Sequence, residues 1–252
     1  MTQAALLATA ISQFVAGCKT DGIWDPIKAC CIMAAWDGLA GALYPLKGPA
    51  PTNNNFVAGD YNRETGLVGD GSTKYLNSNR ANNADPQDSN HNAFYRSSSG
   101  GVTAQIIATN FVSGENTFYD NNLGSYNIRN RSIVLASNIG TSTTGFAGVS
   151  RSNNSSFVLR SNGTNSIHNI ASQTPTATFI GIFGVIANPN NPGRLAFYSI
   201  GESLDLEKLD TRVTRLIQQT AFSINTGLDG SIYDIDTLRY VNAGYAAGGT
   251  LT

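Results

Sequence analysis

Gly66-Leu-Val-Gly-Asp-Gly-Ser-Thr-Lys-Tyr-Leu76 and Arg194-Leu-Ala-Phe-Tyr-Ser-Ile-Gly-Glu-Ser-Leu-Asp-Leu-Glu-Lys-Leu209 decide how this chain folds. The first is a Gly-Asp-Gly turn opening into an alternating strand. Gly69 and Gly71 allow positive φ there, and Asp70 can accept hydrogen bonds from backbone amides. The second is an alternating strand that runs straight into an amphipathic helix. Between them the apolar period is two. Strands are predicted over 73–76, 93–96, 103–108, 117–120, 125–129, 133–137, 145–151, 156–161, 166–170, 178–185 and 194–200. Asn, Ser and Gly clusters punctuate them, and Asn162-Gly163 is the clearest hairpin signal. Short strands at such spacing, with no helix between them, predict a mainly β chain built as an antiparallel sandwich.

Outside this bracket the pattern turns helical. Leu206, Leu209, Val213, Leu216 and Ile217 make the apolar face of a helix over 204–222, with Ser203 as its cap and Asp205 and Glu207 in its first turn. Near the other end, Ala4, Leu7, Ala8, Ile11, Phe14 and Val15 form a stripe ending at Gly17, read as a C-cap. Asp25 and Pro26 read as the start of a second helix over 27–35. The organisation expected is a helical cap over 1–44, an extended connector over 45–64, a sandwich with its closing helix over 65–222, and a Gly-, Ala- and Tyr-rich arm over 223–252.

Charged residues make up 13% of the chain, well below the ~25% usual for globular domains, and the net charge is −1. That balance gives no electrostatic reason to bind nucleic acid or an anionic membrane. The polarity comes from Asn, Ser, Thr and Gly, which suit turns and hydrogen bonding to neutral partners such as sugars, or to copies of the chain itself. Cys18, Cys30 and Cys31 are too few and too clustered for a disulfide framework, so free thiols and synthesis in a reducing compartment are expected. No apolar run reaches the ~18 residues that would span a bilayer.

The two bracketing motifs resemble the first and last strands of concanavalin A-like jelly rolls, laminin G-like modules in particular. The chain as a whole resembles a group of tailed-phage virion proteins. The matching stretches are Phe14-Val-Ala-Gly-Cys-Lys-Thr-Asp-Gly-Ile-Trp24, Ala50-Pro-Thr-Asn-Asn-Asn-Phe-Val-Ala-Gly-Asp-Tyr-Asn-Arg63, Gly66–Leu76, Asn79-Arg-Ala-Asn-Asn-Ala-Asp-Pro-Gln87 and Tyr198-Ser-Ile-Gly-Glu-Ser-Leu204. The resemblance implies a virion component with a jelly-roll core, made in the host cytoplasm and assembled with other virion proteins and with copies of itself. A tail or fibre module contributing to host-surface glycan attachment is one role it implies. A capsid decoration or assembly protein with no ligand is the alternative. In that group a Tyr/Ala-rich segment precedes the Phe-Val-Ala-Gly-Cys motif. Here a similar segment, Asp236–Leu251, stands at the other end, which predicts an arm that packs on residues 3–35 of its own or a neighbouring copy.

The chemistry-bearing residues point away from catalysis. Gly66–Lys74 lacks the Gly-Lys-Ser/Thr order of a phosphate loop. His91 and His168 lie in Asn/Ser-rich sequence without the companions of a zinc site and read as ordinary surface histidines. Glu64, Glu115, Glu202 and Glu207 show no paired-carboxylate spacing within a strand. Asp70, Asp85 and Asp88, with Asp60 nearby, are the acids that could give oxygens to a calcium ion, the one cofactor considered. A ligand surface is predicted at Asn82, Asp85, Asp88, Tyr95, Tyr119, Asn121 and Asn122. Phe94-Tyr95 and Phe118-Tyr119 must each split between two strand faces, which turns one aromatic of each pair outward. An outward Tyr beside Asn suits sugar stacking and serves an oligomer interface equally well.

Overall fold

The computed structural model describes residues 3–110, 112–186 and 188–221 in full, and the backbone alone of 222–225, 231–234 and 239–242. Nearly every strand foreseen between 73 and 200 is present. They assemble as two nine-stranded sheets, here sheet A and sheet B. In chain order the strands are β1 (Ile27–Ile32), β2 (Pro45–Lys47), β3 (Thr52–Asn54), β4 (Tyr61–Asn62), β5 (Gly66–Val68), β6 (Tyr75–Ala81), β7 (Asn90–Ser98), β8 (Ala104–Ala108) and β9 (Asn116–Asp120). They continue with β10 (Tyr126–Asn130), β11 (Ala136–Ile139), β12 (Gly145–Arg151), β13 (Phe157–Ser161), β14 (Thr164–His168), β15 (Phe179–Ile182), β16 (Gly184–Val185), β17 (Asn188–Pro189) and β18 (Arg194–Gly201). Sheet A runs β14-β13-β12-β7-β18-β1-β2, and sheet B runs β11-β10-β9-β8-β15-β6-β3. Neighbours along both paths are antiparallel. The fold is an antiparallel jelly-roll sandwich.

Strand β18 shows why the molecule has three layers. All its residues but Arg194 are buried. Leu195, Tyr198 and Ile200 face the core between the sheets, where Phe94, Ile107, Phe118, Ile128 and Ile182 meet them. Ala196 and Phe197 face the other way, toward helices α1 (Gln3–Thr20) and α3 (Leu206–Asn225). A register shift between Leu195 and Phe197 lets these two consecutive residues share one side. Phe14 of α1 packs edge-on against Phe197 at 6.0 Å, and Leu209, Val213 and Leu216 of α3 complete this second core. The central strands of sheet A are therefore buried on both faces.

That burial overturns the helix predicted over 27–35. Ile27-Lys-Ala-Cys-Cys-Ile32 is a strand paired with β18. Cys31 and Met33 point to one core and Cys30 and Ile32 to the other. A run that is apolar on both strand faces has no alternation to reveal it, and the Asp-Pro before it mimics a helix start. Helix α1 also runs past Gly17. Its end is a Schellman turn, with Gly22 at φ 74°, Gly22 N donating to Lys19 O and Ile23 N to Cys18 O. Gly17 serves instead as space, since a Cβ there would meet the Arg212 guanidinium at 2.6 Å. The cap of α3 is Asp205, whose Oδ1 accepts from Glu207 N and Lys208 N at 2.9 and 3.2 Å; Ser203 pairs with Ser89 instead. A four-residue helix, α2 (Leu39–Ala42), leads into the 45–64 segment, which carries β2, β3 and β4 and so passes between the two sheets.

The Gly-Asp-Gly turn is the corner that joins β5 in sheet A to β6 in sheet B. Asp70 Oδ1 accepts from the amides of Ser72, Thr73 and Lys74 at 3.0, 2.8 and 3.0 Å, as its position in the motif predicts. Gly71 takes the positive φ, 75°. Gly69 is needed for closeness, because a Cβ there would lie 1.9 Å from Asn191 O. The expected docking of Asp236–Leu251 lies outside the described residues, as does most of the arm over 223–252. The backbone of 231–234 and 239–242 pairs as a two-stranded antiparallel ribbon bonded to neither sheet.

Candidate functional site

The predicted site residues fall in three places. Asn82, Asp85 and Asp88 collect at one end of the sandwich around two buried arginines. Arg131 donates to Asn82 Oδ1 and Asn82 O and to the carbonyls of Asp85 and Pro86. Arg151 donates to the carbonyls of Asn130, Asn153, Ser156 and Ile170 and to Ser132 Oγ. These two side chains tie four loops together. Asn82 also joins an amide relay, accepting from Asn116 Nδ2 at 2.7 Å and donating to Glu115 Oε2 at 3.1 Å. The extended segment 171–178 straps this end shut through Ser172 on Asp88 and Thr176 on Glu115. Burial pushes the Arg131 guanidinium down to about 10, against the opposing charge of Asp85, so it stays charged at pH 7.

Each acid considered for calcium already has partners. Asp85 pairs with Arg80, Asp88 accepts from Ser172, and Asp60 pairs with Lys74. Burial alone would raise the Asp70 carboxyl. The Thr73 hydroxyl and the three amides outweigh it and hold the group well below the usual carboxylate range. Among the described residues, no three His, Cys, Asp or Glu side chains gather closely enough to hold a metal ion.

Tyr95 lies on the other side of the molecule. Phe94 points into the sandwich, and Tyr95 accordingly packs, half buried, against the helix-facing core. Beside it on β7 is His91, which is wholly buried and not a surface residue. Its Nδ1 lies 2.6 Å from Glu202 O and its Nε2 2.7 Å from Ser199 Oγ. Burial pushes its pKa down to about 4, against the opposing pull of the Glu202 carbonyl, so the ring is neutral at pH 7. His168 stacks on Phe157 with centroids 5.2 Å apart. The four glutamates stand apart: Glu115 is in the relay, Glu202 pairs with Lys28 at 3.0 Å, Glu207 lies 4.0 Å from Arg160, and Glu64 is exposed.

Tyr119, Asn121 and Asn122 do come together, on sheet B. Among the described residues, no helix covers the outer face of this sheet. Phe118 and Ile128 point into the core, so Tyr119 on β9 and Asn127 and Arg129 on β10 point outward. Tyr119 stands opposite Asn127, and Thr117 opposite Arg129. An asparagine chain borders them: Asn138 N donates to Asn127 Oδ1 at 2.9 Å, and Asn121 Nδ2 to Asn138 Oδ1 at 2.7 Å. Asn122, exposed with φ 58°, donates its backbone N–H to Asp120 Oδ1 at 2.9 Å. Ser137 and Asn138 of the edge strand β11 are exposed. The result is an open patch with one aromatic ring, several amides and one guanidinium. Asn127, Arg129 and Asn138 are missing from the predicted set, although the alternation Asn127-Ile128-Arg129 beside Phe118-Tyr119 carries the signal.

No protein-family model matches the chain, and no curated protein is similar to it. Solved structures do resemble it. The botulinum neurotoxin serotype D binding domain aligns at a TM-score of 0.50 and 13% identity, over 83% of this chain and 54% of that one. A Trypanosoma rangeli sialidase mutant displaying trans-sialidase activity aligns at 0.49 and 8%, over 78% and 34%. The CBM40 of a Ruminococcus gnavus sialidase, bound to α2,3-sialyllactose, aligns at 0.39 and 12%, over 52% and 83%. The chain spans about half the length of the toxin domain, and at this identity the likeness shows a shared β-sandwich fold.

Proposed function

We propose that this chain is a glycan-recognition module of a tailed-phage virion and that it contacts host-surface saccharide with the open patch on β9, β10 and β11. The observation that carries this reading is the asymmetry of the two sheets. The outer face of sheet A is sealed by α1 and α3, whereas that of sheet B presents Tyr119 beside Asn127, Arg129 and Asn138. A ring face next to fixed amides is the chemistry that neutral hydroxyls and sugar C–H faces recognise. The phage placement is supported by the sequence motifs, and the toxin binding domain supports the sandwich scaffold alone. The test is binding of the full chain to host cells and to their isolated polysaccharide, alongside Tyr119→Ala. Saturable binding that this substitution abolishes is expected. A chain that binds neither cells nor saccharide overturns the reading.

An assembly role without a ligand is favoured by one feature. The exposed residues of α1 include Ala4, Ala5, Ala8, Thr9, Ser12 and Ala16, a smooth uncharged surface suited to packing against another virion protein or a second copy. Retention on empty capsids by a chain that shows no affinity for cells would select this role.

A further inference from the structure

Arg129 differs from every other arginine whose partners are described above. Arg131 and Arg151 are saturated with carbonyl and amide oxygens, and Arg80, Arg96, Arg160 and Arg212 each hold a carboxylate. Arg129 makes one long hydrogen bond, Nη1 to Ile133 O at 3.3 Å, and no ion pair among the described residues. Its Nε is buried without any partner. Burial of the guanidinium lowers its pKa, and no neighbouring charge opposes that shift. A guanidinium held with a buried, unpaired Nε and one long hydrogen bond is costly, and an anion placed on its open Nη end would offset that cost.

The position says what that partner is. Arg129 lies on the outer face of sheet B, diagonal to Tyr119 across one strand pair, a separation of roughly 7–8 Å. A sugar ring stacked on Tyr119 would therefore hold a ring substituent over Arg129. The guanidinium fork matches a planar two-oxygen anion, which a hydroxyl is not. We propose that the patch selects carboxylate-bearing saccharides, with Arg129 binding the sugar carboxylate through its Nη end while Tyr119 carries the ring. This rests on the glycan-recognition reading above and deepens it by naming the ligand class.

The test is direct binding of the full chain to four probes: a galacturonate trisaccharide, its neutral galactose counterpart, sialyllactose and lactose. Pairing one charged group is expected to favour an acidic probe over its neutral partner by about ten- to a hundredfold. The preferred acidic probe then tells hexuronate from sialate. Arg129→Gln should erase that preference while leaving the melting temperature within a degree or two, because Nε has no partner to lose. Arg129→Lys, which keeps charge without the fork, should retain only part of the preference. Equal binding of acidic and neutral probes overturns this inference and leaves glycan recognition standing. Binding of no saccharide overturns both. A preference that survives Arg129→Gln, or a melting temperature that falls by several degrees in that variant, also overturns the assignment.

Discussion

The outer faces of the two sheets are made from similar strands and do opposite things. On sheet A, Phe197, Ala196, Cys30 and Ile32 meet Phe14 and the apolar side of α3, and none of the four is exposed. On sheet B the equivalent positions are Tyr119, Asn127 and Arg129, all partly open. The difference lies in the strand sequences themselves. An apolar side chain every second residue on both faces creates a layer that must be covered on both sides, and the helices supply the cover. Apolar alternating with Asn, Tyr and Arg leaves one face for water or a ligand. Sheet A thus lies between two cores, and the outer face of sheet B is the one proposed above for recognition.

Phe197→Ala attacks the covered face where it is deepest. Removing a fully buried ring between sheet and helices is expected to cost about 3–5 kcal/mol. Chemical denaturation would read it as a lower midpoint. A loss below ~1 kcal/mol would mean that the helical layer contributes little and that the two faces differ less than the packing indicates. Asp120→Ala tests the interior that both faces share. Asp120 of sheet B pairs with Arg96 of sheet A, with side-chain exposures of 6% and 0%, and it also accepts from Ser142 Oγ at 2.6 Å. Stranding the Arg96 cation between the sheets is expected to cost about 3–5 kcal/mol. A near-neutral result would show that Thr143 O and Ser142 Oγ, which also accept from Arg96, suffice to hold the cation.

How much of this was legible in the sequence follows the same division. Strands with one polar face announced themselves by alternation, and β10, at Tyr126–Asn130, falls within a residue of the 125–129 that its pattern predicts. Strand β1 did not, because burial on both sides erases the period. The proposed patch was half legible. Tyr119, Asn121 and Asn122 were singled out by their residue types, whereas Arg129 required knowing that its neighbours on the strand turn inward. Asn82 and Asp85 look like ligand groups in sequence because Asn and Asp are also what buried loop networks are made of. Only the partners seen in space, Arg131 and Arg80, separate the two uses.

His91 gives the covered side a pH signature that the open side lacks. Its folded pKa of about 4 lies below the ordinary value of 6.5, so the unfolded chain takes up the proton first as pH falls. Stability contributed by the neutral ring is fully present above about pH 6.5 and is lost progressively down to pH 4, amounting to about 3 kcal/mol. Denaturation midpoints measured across that range should fall more steeply for the natural chain than for His91→Gln, which cannot titrate there. Parallel slopes would show that the ring titrates in the folded chain as it does in the unfolded one.

The smallest effect on stability should carry the largest effect on function. Tyr119→Ala removes a partly exposed ring from a face that no described helix covers, and its change in stability is expected to stay within about 0.5 kcal/mol. The Phe118 side chain next to it still fills the core, packed at 4.8 Å from Phe94 and 4.9 Å from Tyr126. Saccharide affinity should nevertheless fall by at least tenfold, since the stacking platform is gone. A variant that loses stability as Phe197→Ala does would show that Tyr119 belongs to the core. One that keeps both stability and saccharide binding would move the site off sheet B altogether. Only a stable variant that no longer binds keeps the two faces functionally distinct.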